Sequence, residues 1–374
     1  MSSAYSPFAR SAASGRQHVD IVSGSFGAGH DVAADAIAQQ LHARGFSTRT
    51  WDVVDLMPGH LGRMLRSGYL KQIQSMPATW RWTLGAIDRH ASVTRCIVRA
   101  LRTVEAALLD IAAGCPNHFV STHPFPSQAL GHLRASGRLR VPVTTYLTDM
   151  SVHRLWVHPG VDTHLAVHDI PARQARSLGA GETLVVNPAV RASFAATTRT
   201  RAGQRSARRA LGLPDHERHL ALVTGGAYGI GQLFETARDL AATGLVTPVV
   251  LCGTNTRLLA KVERHPSMIG LGWVTDMPRV LQAVDVVVQN SGGMTSLETG
   301  AAAVPMITYR CIAGHGETNA SALDVAGLAS WARDPGQLHR SLLNALHVRA
   351  LWSQRSWMAT DVVDALFPVS ALIA

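Results

Sequence analysis

The sequence is poor in cysteine and lysine, and it has no long apolar run. Its 374 residues include four cysteines without metal or disulfide spacing, so we expect a protein of the reducing cytoplasm. No apolar stretch approaches the roughly 18 residues of a transmembrane helix, so we expect no membrane span. Residues 1–17 are rich in Ser and Ala without an apolar centre, and we interpret them as a disordered tail rather than a signal peptide.

Metal-site patterns are also missing. No Asp-x-Asp motif ends a predicted strand, and the 18 histidines lack ligand spacing with cysteine or carboxylate. We therefore expect no metal and no cofactor. A chain of this length with 47% hydrophobic residues suits two cores of about 150–200 residues each.

The most informative feature that is present is a glycine pair after a buried strand. The apolar run 284–288 leads to Gly292 and Gly293, where a helix is predicted to begin, and Glu298 lies one turn further on. Glycines at such a junction let an anion approach the backbone, and a helix N-terminus offers free N–H groups. We expect a diphosphate here, with the carboxylate accepting hydrogen bonds from sugar hydroxyls of the same ligand.

A second glycine-rich turn lies near the start of the chain. Gly27 and Gly29 follow the short apolar strand 19–22 and open a helix with apolar residues at helical spacing. Two such turns about 260 residues apart predict two Rossmann-like halves, because one nucleotide fold places its phosphate loop only once. The first loop ends in His30, and a histidine beside a cleft is the commonest general base.

A third glycine-rich run, 224–231, fits the cofactor loop of short-chain dehydrogenases. That fold opens its chain with the loop and later needs a Tyr-x-x-x-Lys pair. Here the only later tyrosine, Tyr309, has no lysine after it. We therefore interpret Gly225 and Gly226 as the first turn of the second half, facing the cleft.

Five short motifs in order resemble one family. Ser25–His30 with the following Ala33-Ala34 resembles the Gly-x-Gly-His-x-x-Ala-Ala signature of the monogalactosyldiacylglycerol synthase and processive diacylglycerol glucosyltransferase group. This is glycosyltransferase family 28, which is related to the lipid II N-acetylglucosaminyltransferase. The remaining similar motifs are Thr148-Asp149 with His153, Trp156, His158-Pro159 and Asp162, then the runs 272–278, 291–298 and 314–320.

The resemblance implies an α/β GT-B fold, in which two Rossmann-like, doubly wound domains face a cleft and a C-terminal helix crosses back. We expect an N-terminal acceptor-binding domain over 18–190 and a linker over 191–217. A nucleotide-sugar-binding domain should follow over 218–337, and residues 338–374 should form helices that return to the first domain.

The implied reaction moves a hexose from a UDP-sugar, a co-substrate, to a hydroxyl of a diacylglycerol-like lipid. One direct displacement would invert the anomeric carbon. We expect His30 to take the acceptor proton, with Asp149 either orienting it or acting as the base itself. Alternatively, His30 only caps its loop or contacts a donor phosphate. Backbone N–H groups at the glycine turns would stabilise the leaving diphosphate.

The resemblance also implies a set of binding residues. Glu298 would bind the ribose, Glu317 and Asn319 would contact hexose hydroxyls, and the backbone near Val274 would hold a uracil-like base. The donor site is expected to contain Gly225, Gly226, Val274, Ser291, Gly292, Gly293, Thr295, Glu298, Glu317 and Asn319. The acceptor loops are expected to contain Gly27, Gly29, His123, His153 and Trp156.

Two stretches depart from the group's pattern. The group usually has a lysine just before the glycine pair, where this chain has Gln289-Asn290. Many members have Gly-Gln-Glu-Glu-x-Asn where this chain has Gly-His-Gly-Glu-Thr-Asn at 314–319. Both stretches lie where donor sugar and phosphates would be contacted, so the identity of the sugar is left open.

Basic and aromatic residues are interleaved over 60–110. This stretch has eight basic and three acidic residues, a net charge of +5, which suits peripheral contact with an anionic membrane, here the inner face of a bacterial plasma membrane. The candidate contacts are Arg63, Arg66, Lys71, Trp80, Arg81 and Trp82. Alternatively, the apolar residues of 97–111 at helical spacing simply pack a helix on its sheet. No nucleic-acid motif accompanies the charge, so we expect no nucleic-acid partner.

Three functions compete at this point. They are a lipid glycosyltransferase of the cytoplasmic leaflet, a soluble glycosyltransferase of a secondary metabolite, and a non-catalytic sugar-nucleotide sensor. The presence of both His30 and Asp149 argues against the sensor. The basic and aromatic stretch favours the lipid enzyme over the soluble one.

Overall fold

The computed structural model describes residues 17–75, 77–195, 200–215, 218–290, 292–347 and 359–367. Within them the chain forms two α/β domains, each on a six-stranded sheet. Neighbouring strands in both sheets run parallel. The predicted α/β class with two doubly wound halves is therefore confirmed. Of the predicted N-terminal tail, residues 1–16 lie outside the described part, as does Ser291 of the predicted donor site.

The first domain alternates strands and helices and carries a cluster of helices between its second and third strands. Its elements are β1 (His18–Ser23), α1 (Ala28–Ala43), β2 (Ser47–Asp52), α2 (Val53–Leu56), α3 (Leu61–Ser75), α4 (Pro77–Arg89), α5 (Ala91–Leu101), α6 (Glu105–Ala112), β3 (His118–Ser121), α7 (Pro124–Ala135), β4 (Val143–Leu147), β5 (Thr163–Ala166), α8 (Asp169–Ser177) and β6 (Glu182–Val185). Short 3-10 turns cover Arg102–Val104 and Arg154–Trp156.

The second part of the chain repeats the alternation. Its elements are α9 (Ala192–Ala195), α10 (Arg201–Ala210), β7 (His219–Thr224), α11 (Leu233–Ala242), β8 (Val246–Leu251), α12 (Thr256–Glu263), β9 (Ile269–Leu271), α13 (Met277–Ala283), β10 (Val286–Gln289), α14 (Met294–Ala301), β11 (Met306–Tyr309), α15 (His315–Val325), β12 (Ser330–Ala332), α16 (Pro335–His347) and α17 (Val362–Leu366).

The strand order determines where a ligand can bind. It is β2-β1-β3-β4-β5-β6 in the first sheet and β12-β11-β10-β7-β8-β9 in the second. The order reverses between β1 and β3 and between β7 and β10, and a crevice forms outside the carboxyl ends of parallel strands at such a reversal. His30 and His123 follow the first pair of strands, and Gly225 and Gly293 follow the second. The turns predicted from the sequence thus lie at the two reversals.

Strands β4 and β10 are buried along their whole length, as is typical of parallel strands that are covered on both faces.

The two domains share an apolar contact. Ile37 and Leu41 of α1 belong to the same buried cluster as Met294 and Leu297 of α14. Helices α1 and α14 therefore pack against each other across the domain boundary.

The predicted linker, 191–217, contains two helices in its described part, α9 and α10. The second of these packs on α13 and the second sheet, where Arg208 donates to the buried Asp285 carboxylate at 2.7 Å. Ala207 lies in the same apolar cluster as Leu220. The structure therefore differs from the sequence prediction, because α10 belongs to the second domain rather than to a free connection.

The C-terminal region divides differently from the prediction as well. Helix α16 keeps Leu338 and Leu342 in the core of the second domain, so the predicted boundary at residue 337 falls inside a helix. The chain contacts the first domain over 359–367. There the Asn187 amide donates to the Ala359 carbonyl at 2.7 Å, and Val363 joins the α1 cluster.

Arg208 and its neighbour Arg209 give a matched test of this assignment. Arg208→Ala is expected to lower the free energy of unfolding by about 3–5 kcal/mol, because it removes the arginine partner of a carboxylate that is 1% exposed. Arg209→Ala breaks an exposed ion pair with Asp215 and should cost at most about 1 kcal/mol. Urea unfolding followed by tryptophan fluorescence measures both losses. Equal losses would contradict the placement of α10 in the second core.

Candidate active site

His30 lies in the first turn of α1, where the glycine-rich loop after β1 ends. Its ring Nδ1 is 2.8 Å from the Thr122 carbonyl oxygen, and the Thr122 hydroxyl donates to the His30 carbonyl at 3.0 Å. A carbonyl oxygen can only accept, so Nδ1 carries a proton, and Nε2 is the ring nitrogen left to exchange one. The ring is thus oriented with Nε2 as the candidate base. Thr122 was not predicted, because nothing in its sequence marks its backbone as a partner.

The loop before His30 is held by a neighbouring carboxylate. Asp31 accepts hydrogen bonds from the hydroxyls of Ser23, at 2.6 Å, and Ser25, at 2.9 Å. An acidic residue in the first turn also interacts favourably with the helix dipole. These bonds fix the path of the chain from β1 into α1, and they thereby fix the position of His30 in the first turn of α1.

His123 contacts His30 from the next strand end. It caps α7 by accepting the Phe125 N–H at 3.2 Å, and its ring lies 4.5 Å from the His30 ring at an angle of 80°. Burial, with additional contributions from His30 and His153, holds the pKa of His123 well below its usual value. His123 is therefore a neutral side chain that packs beside His30.

Asp149 follows β4 on the same side of the cleft. Its Oδ1 accepts the Asn319 amide N–H at 3.0 Å, and a Cβ built on Gly293 would lie 3.4 Å from the same oxygen. Asp149 thus lies next to the N-terminus of α14. The Thr122 carbonyl holds Nδ1 of His30, and an orienting role for Asp149 stays a prediction.

The turn after β10 forms the donor-side wall. Gly292 has φ 79°, and a Cβ there would lie 2.7 Å from the Asn319 Cβ, so only glycine fits. Gly293 is the N-cap of α14, and Thr295 follows in the first turn. Glu298 is 9% exposed, and burial raises its pKa to about 7, against the opposing charge of Arg191.

A second glycine turn meets the first. Gly226 has φ 72°, and a Cβ on Gly225 would lie 2.2 Å from the Ile230 carbonyl oxygen. The Asn290 side-chain amide donates to that same carbonyl at 2.8 Å. The turns after β7 and β10 are therefore tied together. Val274 also lines the cavity.

Two predicted donor residues are placed differently from the prediction. The Glu317 carboxylate is bonded to Arg81 of α4 at 2.6 Å, and Asn319 is fully buried, with its amide group bonded to Asp149 and to the Ser151 N–H. Both side chains are used in contacts between the domains. In this run it is His315 that lines the cavity. Burial lowers the pKa of His315, and His30 lowers it further, while the nearby Asp149 opposes the shift.

One cavity of about 1140 Å³ joins these elements. The predicted site residues that line it are Gly27, Gly29, His30, His123, Asp149, His153, Trp156, Gly225, Gly226, Val274, Gly293, Thr295 and Glu298. Beyond His30 the cavity continues as an apolar lobe between α3, α4 and α5. This lobe is lined by Phe26, Leu65, Tyr69, Ile73, Ile87, Ile97, Leu101 and Phe125.

The residues predicted to face a membrane lie on α3 and α4, beside the apolar lobe. Arg63 and Lys71 are exposed, and Arg66 is half-buried. Two large apolar side chains on these helices, Trp82 and Met64, are 70% and 64% exposed. The side chain of Trp80 lies outside the described part. Among the described helices, none has the length and apolar character needed to span a membrane.

The chain is similar in sequence to known glycosyltransferases. Residues 30–186 match the family model of monogalactosyldiacylglycerol (MGDG) synthase. An uncharacterized glycosyltransferase, YkoN of Bacillus subtilis (strain 168), is 23% identical over 308 residues, which cover 80% of this chain and 79% of YkoN. Processive diacylglycerol beta-glucosyltransferase of Bacillus cereus (strain AH187) is 24% identical over 238 residues, 62% of this chain and 60% of that enzyme. The predicted resemblance is therefore confirmed.

Solved structures give the same fold. Acinetobacter baumannii MurG has a TM-score of 0.55 and 16% identity, and the match covers 92% of this chain and 96% of MurG. Anabaena Alr3699/HepE in complex with UDP has a TM-score of 0.55 and 13% identity, covering 96% and 99% of the two chains. At such identities the likeness establishes the fold alone, and the predicted GT-B arrangement is confirmed.

Proposed function

We propose that this chain, which belongs with the monogalactosyldiacylglycerol synthase and processive diacylglycerol glucosyltransferase group of glycosyltransferases, moves a hexose from a UDP-sugar to a lipid hydroxyl. The acceptor is a diacylglycerol-like lipid taken from an anionic membrane surface. The supporting observation is the continuous cavity, which has glycine turns at helix N-termini at one end, an apolar lobe at the other, and His30 between them.

The glycine end suits a nucleoside diphosphate. Free N–H groups at the start of α14 near Gly293, with those of Gly225 and Gly226, would bind the two phosphates and stabilise the charge that develops as they leave. Glu298 would accept hydrogen bonds from the ribose hydroxyls, and the backbone near Val274 would hold the base. Because backbone groups carry this charge, the reaction needs no metal in our proposal.

The apolar end suits acyl chains. Most of its side chains come from α3, α4 and α5, and exposed apolar residues, Met64 and Trp82, lie on α3 and α4. A lipid whose chains enter between these helices would present its headgroup hydroxyl toward His30. Arg63 and Lys71 would add attraction to an anionic surface, each by about 1 kcal/mol. The enzyme would then act as a peripheral protein on the inner face of the plasma membrane.

The chemistry follows from the orientation of His30. Nε2 would accept the acceptor hydroxyl proton while that oxygen forms its bond to C1 of the sugar. The bond between C1 and the diphosphate oxygen breaks, UDP leaves, and the anomeric configuration inverts. The imidazolium formed would keep its Nδ1–H bond to the Thr122 carbonyl. Asp149, bonded to Asn319, would line the sugar subsite rather than act as the base.

The proposal is tested by product analysis. The protein is incubated with UDP-glucose, UDP-galactose or UDP-N-acetylglucosamine and either anionic vesicles that contain diacylglycerol or a soluble alcohol acceptor. Mass spectrometry should find a hexosyl lipid from vesicles, and its yield should fall as salt shortens the Debye length from about 10 Å toward 3 Å. Transfer to the soluble acceptor alone would favour a secondary-metabolite enzyme. Binding of UDP-sugar without any transfer would indicate a sensor.

The role of His30 predicts a split between turnover and binding. His30→Ala should lower kcat by about 10²-fold or more, because the acceptor proton loses its base, while the dissociation constant of UDP changes little. His347→Ala, at an exposed position on α16, is the matched control and should match the wild-type enzyme. A His30→Ala enzyme with near-normal turnover would remove His30 from the mechanism.

The raised pKa of Glu298 predicts pH-dependent donor binding. Burial raises this pKa to about 7, so the free carboxyl takes up a proton as the pH falls through 7. Ribose hydroxyls that donate to the ionised form would therefore bind more weakly, by up to about tenfold per pH unit below 7. Calorimetry with UDP-glucose, whose esterified diphosphate does not titrate there, measures this effect. Glu298→Gln should weaken binding at pH 8 and flatten the profile; an unchanged profile would contradict the ribose assignment.

A further inference from the structure

Two side chains that the sequence assigned to different ligands are bonded to each other across the cleft. Arg81 belongs to α4 of the first domain, and Glu317 to the first turn of α15 in the second. The Arg81 guanidinium donates through Nη2 to Glu317 Oε1 at 2.6 Å and through Nε to Oε2 at 3.1 Å. Such a two-point pairing fixes orientation as well as distance.

Glu317 also bonds to the backbone next to the edge of the cavity. Its Oε2 also accepts the Gly314 N–H at 3.1 Å, and Gly314 has φ 81°, a conformation that favours glycine. The next residue, His315, lines the cavity close to Asp149 and His30. The position of Arg81 is therefore linked by three hydrogen bonds to the backbone that places His315 at the reaction centre.

The same turn of α15 is held at a second point. The Ser151 N–H donates to Asn319 Oδ1 at 2.8 Å, and the Ser151 and Thr318 hydroxyls lie 2.8 Å apart. The Ser151 bonds reach Thr318 and Asn319, and the Arg81 bonds reach Glu317. The ion pair therefore adds an attachment from α4 to a turn that Ser151 also holds.

The ion pair contributes little to stability. The side chains of Arg81 and Glu317 are 61% and 35% exposed, and pairs of this kind contribute from nothing to about 1 kcal/mol. We therefore expect the ion pair to act by positioning the backbone at the part of the cavity between the diphosphate end and His30. That part is where the transferred sugar would lie.

We propose that Arg81 is a positioning residue for the donor sugar. It acts through Glu317 and the Gly314 backbone to hold the His315 edge of the cavity in the arrangement that receives the hexose. This inference rests on the proposed function. It assigns Arg81 to the donor rather than to the membrane, and it assigns Glu317 to alignment rather than to direct contact with the sugar.

A double-mutant cycle with Arg81→Gln, Glu317→Gln and the double variant tests the proposal. Glutamine at 317 keeps an oxygen for the Gly314 N–H, so the change isolates the ion pair. Each single variant should lower the affinity for the UDP-sugar that the wild type binds best by about threefold to tenfold, as expected for a partly exposed pair. The affinity for UDP should stay unchanged. The double variant should lose no more than a single one, because the residues act through each other.

Calorimetry measures both affinities without an acceptor or lipid, and Arg89→Gln, an exposed arginine in the last turn of α4, is the control. Unchanged UDP-sugar affinity in both single variants would overturn the proposal. A loss in Glu317→Gln alone would mean that Glu317 contacts the sugar, and a vesicle-binding defect in Arg81→Gln alone would mean a membrane role. If the wild type binds neither UDP nor UDP-sugars, the proposed function itself fails.

Discussion

A buried amide joins the two domains at the point where the reactive groups meet. Asn319 is fully buried, and a buried amide must find hydrogen-bond partners because leaving them unmade costs free energy. Its amide nitrogen donates to Asp149 and its oxygen accepts from the Ser151 N–H, so the first domain supplies partners for a side chain of the second. The same Asn319 leaves no room for a side chain at Gly292. One residue thus fixes both the place of Asp149 and the open backbone before α14.

The orientation of His30 follows from a different kind of partner. A carboxylate beside the ring would add a negative charge to the acceptor side of the cleft. The Thr122 carbonyl instead fixes the tautomer through a neutral hydrogen bond. The reactive centre therefore holds its base in one orientation without a charge directly behind it. The apolar lobe beyond the ring is also largely uncharged, because its wall is formed mainly by Leu, Ile and aromatic side chains.

The sequence predicted the features that local rules control. A strand followed by glycines and a helix is a local pattern, so the turns at Gly27 and Gly293 were found from the residues themselves. His123 and Asp149 were expected only from the family resemblance. The strand order then brings these turns together. Parallel sheets with two reversals follow from alternating strands and helices, and they place all four strand ends on one cleft.

The sequence did not predict what depends on long-range contacts. Arg81 and Glu317 are 236 residues apart, and each has a plausible partner of its own in solution or in a ligand. The linker predicted over 191–217 contains helix α10, whose Arg208 is 6% exposed beneath α13. The Thr122 carbonyl belongs to the backbone, which has no signature in the side-chain sequence. These misses share one cause: the partner is chosen by the fold and not by neighbours along the chain.

The departure at 289–290 shows what such long-range contacts change. Gln289 is 2% exposed, donates to the Ser296 hydroxyl at 3.0 Å and accepts the Gly292 N–H at 2.7 Å. Asn290 donates to the Ile230 carbonyl and so ties the two glycine turns together. Each of these side chains thus bonds to the backbone of a glycine turn, Gln289 at Gly292 and Asn290 at Ile230. A diphosphate at this site would therefore meet aligned N–H groups and a helix dipole, and not the ammonium that relatives of this group carry before the glycine pair. The two amides would stabilise the leaving group indirectly, through the geometry of the turns that they hold.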